Sequence, residues 1–192
     1  MLDVNFLDVG NAPLYPAFLS VLIANGLNGK PWEEVRLELT TKGVGGLVDY
    51  EGDLPIEILE PQIAQALELS ERFRQRADYP SKENCSAFVK SLYKAFARGT
   101  DYEMCSCEEM LSVPLAIADY SMELGLQAAV ENGVNYGRDN DTVASFVATL
   151  VGAYRGIDDL RPDWIRLVQK QNPGVDIAEL SEKLSHLSPS IR

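Results

Sequence analysis

Asn140-Asp141-Thr142-Val143-Ala144-Ser145-Phe146-Val147-Ala148-Thr149-Leu150-Val151-Gly152-Ala153-Tyr154-Arg155-Gly156 reads as one uninterrupted helix with a glycine stop. Val143, Phe146, Val147, Leu150, Val151 and Tyr154 recur at the three- and four-residue spacing that lines up side chains on one helical face. Ala144, Ala148 and Gly152 form a second stripe of small residues four apart, which lets a neighbouring helix come close. Between Thr142 and Tyr154 there is no charge; it is gathered just upstream, in Arg138-Asp139-Asn140-Asp141. A helix that is apolar or small on nearly every side belongs inside a bundle, so this one is expected to be central and buried.

The same period recurs on both sides of it, and no stretch alternates in the manner of a half-buried strand. The expected fold class is all-α, in a single domain over 1–192. Upstream, Leu14, Phe18, Val21 and Leu22 mark a helix from Pro13 to Asn25, and Pro31 opens a short one through Leu39. Gly43, Gly45, Gly46 and Gly52 interrupt the pattern between Thr40 and Pro55, a long loop that suits a lid or insertion. Pro61 begins a helix with Ile63, Ala66, Leu67 and Phe73 inward. Ser81 is the expected cap of the next, whose inward face is Cys85, Phe88, Val89, Leu92, Tyr93 and Phe96. Glu108 to Tyr120 is a further helix, and Met122, Leu126, Ala129 and Val130 stripe another. Downstream, Pro162 to Gln169 and Asp176 to Ser185 form two peripheral helices.

Composition narrows the function. Across 192 residues, 17 Lys and Arg face 29 Asp and Glu, a net charge of −12 that repels nucleic-acid backbones and anionic membranes. The one histidine, His186, lies near the C-terminus, which argues against imidazole metal sites and Ser-His catalysis. Cys85, Cys105 and Cys107 are too few for a disulfide framework and point to a reducing, cytoplasmic setting. Cys105-Ser106-Cys107 has no second ligand pair to make a thiolate metal site. The first residues lack the charged and apolar regions of a signal peptide, and no apolar run reaches the roughly 20 residues of a membrane span.

The chemistry concentrates in Gly137-Arg138-Asp139-Asn140-Asp141-Thr142. Carboxylate and hydroxyl oxygens at this spacing suit a hard divalent cation such as Mg²⁺. They are also what a helix start requires, since Asp, Asn and Thr cap free backbone N–H groups. An EF-hand is excluded, because an apolar helix stands where a calcium loop needs its glycine and later Glu. A P-loop is excluded by the absence of Gly-x-x-x-x-Gly-Lys-Ser/Thr.

The run 113–156 goes further. Val113-Pro114-Leu115-Ala116-Ile117-Ala118, then Ala128-Ala129-Val130, then Val134 to Ala144, then Gly152-Ala153-Tyr154-Arg155-Gly156 closely resembles the C-terminal signature of the ADP-ribosylglycohydrolase family. Leu7 to Tyr15 resembles, more loosely, a segment that opens a mid-chain helix there. The resemblance implies an all-α fold with a dinuclear magnesium site, to which Asp139, Asp141 and Thr142 would contribute ligands. Tyr136, Arg138 and Asn140 stand beside them as candidate substrate contacts. It further implies hydrolysis of the glycosidic bond between ADP-ribose and an acceptor, on an ADP-ribosylated protein or a small ADP-ribose derivative. No general base is identified. The family's Gly-Asp-x-x-Gly and Thr-Asp-Asp segments are not in this sequence, so the expected bundle is incomplete and corresponds to the C-terminal portion of a longer enzyme. That departure opens two other functions: a complementing N-terminal fragment could supply the missing ligands, or an inactive helical module could bind partners or itself through the uncovered surface.

Overall fold

The computed structural model describes residues 14–47, 56–97 and 106–187. Its regular structure is helical, with no strand among the described residues. The segment 7–13, the second half of the glycine-rich loop and Cys105 lie outside them, as does the side chain of Cys107. Two compact units are distinguished, one ending at Ile157 and one beginning at Asp158.

The first unit contains α1 (Leu14–Leu27), α2 (Trp32–Lys42), α3 (Glu60–Arg74), α4 (Lys82–Phe96), α5 (Cys107–Ser121), α6 (Leu126–Tyr136) and α7 (Asn140–Arg155). Local chemistry sets several of these ends. The Ser81 hydroxyl accepts the Asn84 N–H at 3.1 Å to start α4, and the Ser106 hydroxyl accepts the Glu109 N–H at 3.2 Å to start α5. Pro61 occupies the first turn of α3, where no amide is needed. Gly137 and Gly156 close α6 and α7 with φ of 78° and 75°, a region where a side chain would be strained.

The axis of this unit is α5. Every residue from Glu109 to Met122 is buried, including Val113, Ala116, Ile117, Ala118 and Tyr120 with no exposed surface. α1, α3, α4, α6 and α7 all pack against it. α7 is central as expected, since it packs on α1, α5 and α6, but it is not enclosed: Asp141, Ser145 and Thr149 form an exposed stripe at four-residue spacing. Its small stripe is used at one end. A Cβ on Gly133 of α6 would stand 2.9 Å from the Ala144 Cα, whereas one on Gly152 would meet nothing within 4 Å. Tyr93 departs from its expected inward position: it is 49% exposed, and its ring leans on Tyr136 with centroids 6.0 Å apart.

One buried charge ties the helices together. Asp119, with no exposed surface, accepts the Trp32 indole N–H at 2.7 Å and pairs with Arg36 at 3.0 Å and Arg74 at 3.5 Å. An unpaired buried carboxylate is costly, so this convergence from α2, α3 and α5 is what makes the position tolerable. The second unit holds α8 (Pro162–Gln171) and α9 (Ile177–Leu187), with an Arg161–Asp163 pair at 2.6 Å at the head of α8 and Lys183–Glu179 at 2.6 Å along α9. α9 runs through His186, which is exposed. Among the described residues no helix is long and apolar enough to cross a membrane.

Candidate functional site

The residues singled out between Tyr136 and Thr142 run from the last residue of α6 through the link into the first turn of α7. Asp139 is the residue before the first turn, with φ −84° and ψ 62°, and its carbonyl accepts the Val143 N–H at 3.0 Å. Its carboxylate makes no cap hydrogen bond to that turn. The simple capping role that its residue type allows is therefore not the one it plays.

Helical spacing then separates the three oxygen donors. Thr142 follows Asp139 by three positions and Phe146 follows Thr142 by four, so the three share a face. That face borders a cleft of about 330 Å³. Tyr15, Pro16, Leu19, Ser20 and Ile23 from α1 and Met110 and Leu111 from α5 line its other walls. Asp139 and Thr142 are thus brought together on the lining of a mostly apolar cleft. Asp141 is exposed and begins the outer stripe instead, its carbonyl accepting the Ser145 hydroxyl at 2.8 Å.

Tyr136, Arg138 and Asn140 are engaged within the protein. The Tyr136 hydroxyl donates to Glu109 Oε1 at 2.7 Å, and Tyr136 is only 3% exposed. Burial, reinforced by that bond to Glu109, pushes its phenol well above the ordinary tyrosine range. The Arg138 guanidinium pairs with the same carboxylate, Nε to Oε1 at 2.8 Å and Nη2 to Oε2 at 3.3 Å, and its carbon lies 5.9 Å from the Tyr93 ring centroid. Asn140 donates to the Val134 carbonyl at 3.4 Å. Arg138 also has φ 52°, the one positive value off glycine among the described residues.

Glu109 is the residue that sequence reasoning missed. In Glu108-Glu109 both acids fit the first turn of α5, where they complement the helix dipole. The signal lay just downstream: Met110-Leu111 and the apolar run through Ala118 leave no solvent face, and a charge on such a helix must be buried and paired. Asp119 carries the same signal at the other end of that run.

The donor set fits magnesium in kind and is short in number. A carboxylate and a hydroxyl are hard oxygen ligands, and Mg²⁺ keeps several waters where protein ligands are few. Among the described residues no three His, Cys, Asp or Glu side chains converge as a ready metal cluster. The family model described as ADP-ribosylglycohydrolase matches residues 14–191 of the chain. No curated protein and no solved structure matches it.

Proposed function

The chain belongs to the ADP-ribosylglycohydrolase family, and on that premise we propose that the head of α7 contributes to a magnesium site at which the glycosidic bond between ADP-ribose and an acceptor is hydrolysed. The observation that carries this reading is the shared cleft of Asp139 and Thr142, inside the matched segment. Asp139 and Thr142 would hold the cation, with Asp141 adding charge across the helix head. Bound there, Mg²⁺ supplies a Lewis acid that orients ribose hydroxyls and polarises a water.

The chain's own residues have two further tasks. Leu19, Ile23, Met110, Leu111 and Phe146 give the cleft apolar walls, on which a nonpolar face of a ligand can pack beside Asp139 and Thr142. About 330 Å³ lies at the small end of ligand sites, which gives room for part of an ADP-ribosyl group. The acidic surface, at net charge −12, gives an anionic pyrophosphate no attraction of its own, so cations are the natural mediators.

Thermal unfolding tests the reading. Magnesium at one hundred times its Kd should raise the stability of the wild type by about 2.7 kcal/mol. Asp139→Asn should abolish that rise and weaken ADP-ribose binding, and Asp141→Asn, which removes only nearby charge, should reduce it. Unchanged magnesium and ADP-ribose binding in both variants would remove the proposed site.

A further inference from the structure

Glu109, Tyr136 and Arg138 form a buried group next to residues that line the cleft: one carboxylate, 1% exposed, accepts the Tyr136 hydroxyl at 2.7 Å and Arg138 Nη2 at 3.3 Å, while Arg138 Nε stands 2.8 Å away as an ion pair without a hydrogen bond of its own. Each lies on a different piece of backbone. Glu109 is in the first turn of α5, Tyr136 is the last residue of α6, and Arg138 is in the link to α7. Two consecutive residues of that link have positive φ, 78° at Gly137 and 52° at Arg138. Glycine takes such a value freely, but an arginine there costs of order 1 kcal/mol or more and persists only where its surroundings hold it. The Glu109 carboxylate is what holds it. The next residue in the chain is Asp139.

From this geometry we infer that Glu109 is a positioning residue: by gripping Tyr136 and Arg138 it fixes the bend between α6 and α7, and so aims Asp139 and Thr142 into the cleft. The inference rests on the magnesium reading for its functional consequence, and on the fold alone for its geometry. Glu109 acts electrostatically as well. Without its carboxylate, the Arg138 charge would stand next to Asp139 and repel the cation that Asp139 is to bind. Tyr136 and Arg138 then serve the site without lining it, and Met110 and Leu111, which come directly after Glu109, form the cleft wall on the same turn of α5.

The test uses the full chain and Mn²⁺ as probe. Glu109→Gln keeps the side-chain shape and removes the charge. Where its helical circular dichroism matches the wild type, Mn²⁺ affinity should fall 10- to 100-fold, the usual loss when a group behind a metal ligand is removed. Amide hydrogen exchange should quicken at 138–142 while α3 and α4 keep wild-type rates. The double variant Glu109→Gln, Arg138→Gln restores a neutral hydrogen-bonded pair, and it should recover most of the affinity, a rescue that general destabilisation does not produce. Wild-type affinity and exchange in folded Glu109→Gln overturn the inference. Should Glu109→Gln fail to fold, Tyr136→Phe, which removes one arm, is read by the same two measurements. A wild type that takes up no Mn²⁺ removes the magnesium reading and leaves the positioning role to hydrogen exchange: quickening confined to 138–142 supports it, and a uniform or absent change overturns it.

Discussion

At the scale of single residues, the polar groups inside the first unit carry information that composition hides. Tyr154 illustrates it: read as one more apolar position on α7, it donates its hydroxyl to the Leu22 carbonyl at 2.8 Å and stacks edge-on to Trp32 with centroids 5.2 Å apart. Burial raises its phenol above the ordinary tyrosine value. A group whose pKa is raised on folding contributes its stability below the unfolded pKa, near 10 for tyrosine, and loses it as pH climbs past that value. Denaturant midpoints should therefore be flat from pH 8 to about pH 9.5 and fall above it. Tyr154→Phe should cost about 1 kcal/mol at pH 8, the worth of one hydrogen bond, and make the alkaline fall shallower. An unchanged alkaline slope in that variant would show that Tyr154 is not among the groups responsible. The buried acids Glu109 and Asp119 were equally illegible by residue type, because a charge near a helix end has an ordinary solvent-facing explanation until the apolar run beside it is weighed.

At the scale of elements, periodicity was enough where a helix has one apolar face and a side-chain cap. The extent of α7 and the Ser81 cap of α4 are as the spacing implies. It was insufficient for contacts between helices. The stripe Ala144, Ala148, Gly152 looks uniform in the sequence, yet the partner helix α6 approaches closely at Ala144 and leaves Gly152 open. Two glycine substitutions should consequently differ in sign. Gly133→Ala puts a methyl 2.9 Å from the Ala144 backbone and should destabilise by about 1–3 kcal/mol, as overpacking does. Gly152→Ala fills empty space within a helix and should stabilise by about 0.5–1 kcal/mol through the unfolded chain's lost freedom. Chemical denaturation of the two variants beside the wild type measures both. A loss of stability in Gly152→Ala comparable to that of Gly133→Ala would mean that the crossing of α6 and α7 is not as described. The choice of α5 as the axis was hidden for a related reason: Pro114 within it and acids at its ends resemble boundary signals, although a helix buried on all sides needs no solvent face.

For the molecule as a whole, the all-α fold was legible because helical periodicity runs through nearly the entire chain, and the α7 head was legible because its charge stands against an apolar helix. The division of labour within that head was not. Residue types make Asp139 and Asp141 equivalent, and only the rotation of the helix separates the one that borders the cleft from the one that faces outward. A second difficulty belongs to the whole surface. At net charge −12, many carboxylates attract divalent cations weakly, among them Glu33, Glu71 and Glu123 around Arg74, so uptake of a metal is by itself a poor guide to where it binds. Location is the decisive quantity. Substoichiometric Mn²⁺ titrated into the isotope-labelled protein, with backbone amide signals followed by NMR, reads it directly, since broadening falls steeply with distance from the ion. The account predicts that Asp139, Thr142, Met110 and Leu111 broaden first and that Asp139→Asn abolishes the effect; broadening that begins around Glu33, Glu71 and Glu123, or spreads evenly over the acidic surface, would contradict it.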